Sequence, residues 1–461
     1  MKGSHWRPRP RLIASALIAL TLPLAAFSIA RSPAPETPEP VDSAATHKAA
    51  AASRAPAPTA AARPPAPPLP EDFDLAGIES LAEQLTWGNR VPGMAMSIVH
   101  GGRILSARGY GVTDISRPEA VDAHTVFRLA SLSKAFAGTV TGLLVEEGSL
   151  RWDSRIVDFV PEFRLSTPQA TEALTVADVL SHRVGLPFNA YDRDIEGNAD
   201  YHTLTRRLAT TSLTCLPGDC YAYQNVAFSL VGDAVFAATG QFYEQAVERR
   251  ILKPLGMNDA SLGLHGIMAS TRWARPHVRS RNGWASLDPK PTYYRVAPAA
   301  GVNASASDMA QWLLANTGHR PDVLSAPLLA TLHAPRVRTP GELRAGWRRE
   351  RLRDASYGLG WRVLDYQGHR VIFHAGAVQG YRGLVALVPE KDFGVAIMWN
   401  GENSLPSGLL PVVVDRALGL PHDNRWLDVS PLSPDLLQAQ RPAGAPVPSG
   451  ISSSRALTSP P

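Results

Sequence analysis

The chain has 461 residues, 44% of them hydrophobic and 19% charged, enough for one large domain or two with a sizeable core, and not the composition of a wholly disordered chain. Its net charge of +5 is not gathered into one patch. The densest run, Arg344 to Arg353, has no aromatic interleaving and reads as a solvated loop, so no nucleic-acid partner is expected.

In chain order, Lys2, Arg7, Arg9 and Arg11 precede a mostly apolar run from Leu12 to Ala30. Residues 1–30 therefore read as a signal peptide with a small-residue site at Ser28-Ile29-Ala30, or as a retained anchor through residues 12–30, despite Pro23. Either delivers the rest of the chain outside the cytoplasm, to a periplasmic location that is soluble or tethered to the inner membrane. Residues 31–73 are rich in Pro and Ala and read as an extended spacer. A folded domain is expected over 74–425, followed by a Pro/Ser-rich, largely disordered tail over 426–461.

The domain opens with a helix from Asp74 through Ile78, Leu81 and Leu85. Met94–Val99 and Ile104–Val112 read as strands of a hairpin turning at His100-Gly101-Gly102-Arg103. A helix follows through Phe136, Val140, Leu143 and Leu144, stopped by Gly148, and a second runs from Leu174 to His182 with a threonine cap. Helical pieces and long loops continue to about residue 300. Val371–His374, Gly383–Val388 and Phe393–Trp399 read as strands, and Ser407–Leu418 as a closing helix. Strands at both ends with helices between predict an α+β fold: one antiparallel sheet assembled from both chain ends, flanked by helices, with a mostly helical insertion.

Three short motifs carry chemistry. Ser131-Leu132-Ser133-Lys134 stands at the start of the first long helix, which puts Lys134 one turn beyond Ser131 on the same face. Unpaired N–H groups there favour the negative charge of an acyl-transfer intermediate, and the lysine can orient or deprotonate the serine. Tyr223-Gln224-Asn225 precedes an apolar helix. The tyrosine reads either as a packed aromatic or as a phenol relaying a proton, and Asn225 has the donor and acceptor that suit an amide. His374-Ala375-Gly376 ends a strand, where small residues let a substrate backbone approach; the N–H after Gly376, that of Ala377, pairs with that of Ser131 as an oxyanion hole. The remaining histidines have no ligand spacing, so no metal and no cofactor are expected. Cys215 and Cys220, the only cysteines, bracket the turn Leu-Pro-Gly-Asp; in an exported chain they read as a local disulfide.

These three motifs, in this order, resemble those of the penicillin-recognising serine hydrolases, nearest the class C β-lactamase and D-alanyl-D-alanine carboxypeptidase group with its esterase relatives. Leu180-Ser181-His182-Arg183-Val184-Gly185-Leu186-Pro187, Pro254-Leu255-Gly256-Met257 and Tyr357-Gly358-Leu359-Gly360-Trp361 resemble the same group, and the likeness runs from about residue 75 to 420. It implies the β-lactamase/transpeptidase-like α/β/α sandwich. It also implies a catalytic set of Ser131 as nucleophile, Lys134 as its activator and Tyr223 as proton shuttle. Asn225, His374, Gly376 and Ala377 would bind the substrate: a β-lactam, a D-Ala peptide or an ester. A catalytically silent cell-wall-binding protein is the alternative from another class, and a monomer is expected. His374 stands where many members have lysine, which removes a fixed positive charge for a substrate carboxylate. Gln224 stands where Ser or Ala is common.

Overall fold

The computed structural model describes residues 65–344, 346–423 and 425–427. The expected leader or anchor at 1–30, most of the spacer and most of the tail lie outside the described residues. The hairpin forms as its glycines dictate: β1 (Gly93–His100) and β2 (Arg103–Gly111) turn through Gly101 and Gly102, whose φ values of 56° and 77° lie in the left-handed region. Six strands from the other end of the chain complete the sheet: β3 (Val337–Arg338), β4 (Leu352–Tyr357), β5 (Arg362–Tyr366), β6 (His369–Val378), β7 (Tyr381–Val388) and β8 (Phe393–Trp399). The order is β2-β1-β8-β7-β6-β5-β4-β3, and every neighbouring pair is antiparallel. The two chain ends meet where Met94 lies opposite Trp399 and Met96 opposite Ile397.

The period of two along β1 sorts its side chains between two cores. Met94, Met96 and Ile98 face helices α1 (Leu75–Thr86) and, at the other end of the chain, Leu409–Leu418. Ala95 and Val99 face helices α2 (Ser133–Glu146) and Ala306–Asn316. This is the expected helix–sheet–helix sandwich. Asp74 caps α1 by accepting from the Gly77 N–H at 2.8 Å. The mostly helical insertion between β2 and β3 includes the Thr175-capped helix Val176–Leu180 and the Cys215–Cys220 disulfide. Among the described residues no helix is long and apolar enough to cross a membrane.

Three expectations change. Strands β3, β4 and β5 extend the sheet beyond the three C-terminal strands read from the sequence. The arginine run is not a solvated loop: Trp347–Arg351 is a short helix, Arg348 pairs with Glu342 at 2.7 Å, and Arg351 pairs with the fully buried Asp415 at 2.7 Å. Packing also reaches into the expected spacer and tail. Leu69 and Phe73 lie against the core, Phe73 edge-on to Phe393 at 5.8 Å, and Leu427 is fully buried.

Candidate active site

Ser131 owes its position to a tight turn. Ala130–Leu132 forms a single 3-10 turn leading into α2, and Ala130 has φ 50°, a conformation a side-chain-bearing residue adopts at some strain. Ser133 locks the turn from behind, its hydroxyl accepting from the Val302 N–H at 2.9 Å. The helix is held down by a close approach of backbones. A Cβ on Gly138 would lie 2.2 Å from the Leu359 carbonyl oxygen, and one on Gly360 would lie 2.2 Å from that of Lys134. The Tyr357–Trp361 turn therefore seats directly on the lysine.

Lys134 is fully buried. Its Nζ lies 3.4 Å from Ser131 Oγ, 2.7 Å from Asn225 Oδ1 and 3.1 Å from the Ala299 carbonyl oxygen. Burial, opposed by Asp192 and reinforced by Arg362, holds its pKa well below the usual lysine value. A neutral amine has two N–H groups, which the two fixed acceptors occupy. In that neutral form the lone pair would be left for Ser131, the orientation a base requires. The Tyr223 phenol interacts with the Ser131 side chain, and its ring centre lies 4.6 Å from Lys134 Nζ. Burial raises its phenol above the usual value, with Arg362 the main opposing influence, so the resting tyrosine is neutral.

Ser131, Tyr223, Asn225, Gly376 and Ala377 line one cleft of about 410 Å³. Gly376 faces the serine turn so closely that a Cβ there would lie 2.4 Å from the Leu129 carbonyl oxygen and 3.1 Å from Ser131 N. The pairing of β6 with β5 ends at Phe373, so residues 374–378 are flanked by β7 alone and leave one side open to an extended substrate. A larger depression of about 750 Å³, lined by Tyr201, Phe236 and Phe242, holds none of the motif residues.

Two site residues sit differently from expectation. The Asn225 side chain is already engaged: Oδ1 accepts from Lys134, and Nδ2 donates to Asp192 Oδ2 at 2.9 Å. Its first task is to aim the lysine. His374 is not at a strand end but inside β6, fully buried. Burial, with Arg362 and Lys134 nearby, holds it well below the usual histidine value, hence neutral. Its Nδ1 lies 2.8 Å from the Ala375 carbonyl oxygen, which places the proton there. Nε2 then accepts from the Tyr357 hydroxyl at 2.9 Å.

The positive charge comes instead from Arg362, which sequence reasoning missed. It stands at the start of β5, its side chain 13% exposed, ion-paired with Glu342 at 2.9 Å, and its guanidinium lies 5.5 Å from the Tyr223 ring centre and 3.4 Å from His374 Nε2. Burial alone would lower its pKa, but Glu342 and the surrounding tyrosines outweigh that and keep it charged. His182 is a second omission. It is buried and neutral, packs at a tilt against Tyr223 with ring centres 4.3 Å apart, and accepts from the Gln224 N–H through Nδ1 at 3.1 Å. Asp192 on the cleft wall is the third. Among the described residues no group of three or more His, Cys, Asp or Glu side chains is placed to hold a metal ion.

Comparison with known proteins finds the Beta-lactamase family model matching residues 78–414. An unguisins hydrolase (ungD') of Aspergillus campestris is 26% identical over 372 residues, covering 78% of this chain and 67% of its own length. Protein flp of Staphylococcus aureus is 24% identical over 345 residues, covering 74% and 65%. The chain thus spans about two thirds of the length of these relatives. Among solved structures, the octameric penicillin-binding protein homologue of Pyrococcus abyssi is similar over 75% of this chain and 78% of its own, with TM-score 0.67 and 24% identity. A D-stereospecific amidohydrolase from Streptomyces sp. covers 76% and 100%, with TM-score 0.60 and 19% identity.

Proposed function

The chain belongs to the Beta-lactamase family, with the fold of a serine hydrolase, and from that premise we propose that it hydrolyses a β-lactam or a related amide or ester through an acyl-enzyme on Ser131. The observation that carries the reading is the placement of Lys134 Nζ, bonded to two acceptors and 3.4 Å from Ser131 Oγ. In this reading the Ser131 proton passes to Lys134 as Oγ attacks the carbonyl. The N–H groups of Ser131 and Ala377 take the oxyanion. Tyr223 gives its proton to the leaving nitrogen or oxygen, the resulting phenolate is stabilised by Arg362 and the Lys134 ammonium, and the lysine proton then restores the phenol. Water repeats the sequence against the acyl-enzyme.

The class C type is part of the proposal, and it rests on a tyrosine rather than a carboxylate beside the serine–lysine pair. Because His374 is neutral, the third motif supplies no cation for a substrate carboxylate. This favours an amidase or esterase over an efficient β-lactamase. Export is likewise proposed: the Cys215–Cys220 disulfide suits an oxidising compartment.

The test is intact-protein mass spectrometry and turnover on a panel of a penicillin, a short-chain ester and a D-Ala-D-Ala peptide, with Ser131→Ala alongside. A transient acyl adduct on the native protein, absent from the variant, is expected. Full turnover by Ser131→Ala would remove the assigned nucleophile, and ligand binding without any adduct would favour the silent receptor.

A further inference from the structure

The catalytic cleft carries its charge unevenly. Its charged lining residues are Asp192, Arg348 and Arg382. Both arginines already have an acidic partner, Arg348 with Glu342 at 2.7 Å and Arg382 with Glu402 at 3.4 Å. Asp192 has no cation in contact among the described residues. Its Oδ2 is held by the Asn225 amide at 2.9 Å, while its Oδ1 is buried and without a hydrogen-bond partner among those residues. Asn189, on the same wall, likewise leaves its side-chain Oδ1 buried and unpartnered. Two buried acceptors without a hydrogen-bond partner therefore belong to one wall of the cleft, and Glu196 lies nearby, accepting from the cleft residue Tyr293 at 3.3 Å. Buried acceptors left unpaired are costly, and a group rich in N–H satisfies both while neutralising the carboxylate.

Asp192 is joined to the nucleophile by consecutive contacts through Asn225 and Lys134, at 2.9, 2.7 and 3.4 Å. We infer that Asp192, with Asn189, receives the ammonium of an aminoacyl amide or ester whose carbonyl is presented to Ser131, so that a free amino group near the scissile bond is what the cleft selects. This inference rests on the acyl-enzyme reading above. Burial raises the Asp192 carboxyl to about 6, so it is anionic at neutral pH, when an amino group is cationic. No step of the reaction passes through Asp192; it is a specificity residue.

The experiment compares two p-nitrophenyl esters of equal size at pH 7.5, an alanyl ester and its isobutyryl isostere, in which a methyl group replaces the ammonium. Both alanine enantiomers are used, with blank hydrolysis subtracted. Native enzyme is expected to prefer one alanyl ester by roughly 10- to 100-fold in kcat/KM, the range of a charge-assisted hydrogen bond. In Asp192→Asn, which keeps an acceptor for Asn225, that ratio is expected to fall at least about tenfold. A native ratio near one overturns the inference, and so does a ratio unchanged by the substitution. If Ser131-dependent turnover of the isobutyryl ester persists in either case, only the specificity assignment fails. If neither ester yields Ser131-dependent turnover or an adduct, the acyl-enzyme reading fails first.

Discussion

Replacing Arg362 by methionine tests whether the charge missing from the third motif has been moved to a neighbouring strand. The guanidinium lies 5.5 Å from the centre of the Tyr223 ring. At an effective dielectric constant near 20, a unit charge at that separation contributes about 3 kcal/mol. That is about two pKa units on the phenol, or roughly 100-fold in its readiness to part with a proton. The same charge lowers Lys134. Its removal therefore raises the lysine pKa, and the rising acid limb of the pH profile moves to higher pH. Glu342 is not stranded by the change, because Arg348 still pairs with it at 2.7 Å. The assay is kcat/KM on a short-chain p-nitrophenyl ester across pH, with thermal unfolding by circular dichroism beside it. Arg362→Met should fold and lose roughly 100-fold in kcat/KM with its acid limb displaced upward, and Arg362→Lys should recover part of both. A folded Arg362→Met with native kcat/KM and an unmoved limb would refute the electrostatic argument.

Other outcomes follow from the same geometry. Lys134→Arg keeps a cation but offers no lone pair, and should lower kcat by about 10²- to 10⁴-fold; near-native turnover would exclude the lysine as base. Gly376→Ala places a Cβ 2.4 Å from the Leu129 carbonyl oxygen, so the serine turn or β6 must move. A loss of about 100-fold in kcat is expected, together with a lower melting temperature, whereas native kcat would show that the cleft does not depend on this approach. Stability should fall as pH drops below about 6.5. His182, His277, His333 and His374 are held by burial below their unfolded value of 6.5, so unfolding takes up protons there. Asp192 and Asp308, raised by burial from 3.8 to about 6, and Asp233, also raised by burial, act in the opposite sense, because the folded chain takes up their protons first. Four groups against three predict a lower melting temperature at pH 5 than at pH 7.5; an equal or higher one would count against neutral buried histidines.

What the sequence discloses here is local. The hairpin glycines, the Thr175 cap and the apolar runs of β1 and β8 are written in neighbouring residues, and the sandwich follows from strands at both ends. Ser131, Lys134 and Tyr223 were legible because each stands in a short motif. Arg362 was not, because a single arginine opening a strand carries no periodicity, and its meaning depends on Glu342, Tyr223 and His374, which only folding brings together. His374 was misplaced because β6 continues through Gly376, and the small residues that suggested a strand end serve instead to let the serine turn approach. The arginine run misled for a related reason: charge reads as solvated until its acids are found, and Asp415 lies on the far terminal helix.

The pairing of β1 with β8 ties activity to completeness. Ser131 follows the first hairpin in the chain, while the C-terminal strand that closes its cleft is held in place by strands made before and after it. A partly synthesised or truncated chain can carry the nucleophile, its lysine and its tyrosine and still have no wall against which to hold an acyl group. On the proposed reading, hydrolysis would require the finished sheet, because the cleft has no complete wall until the last strand has docked.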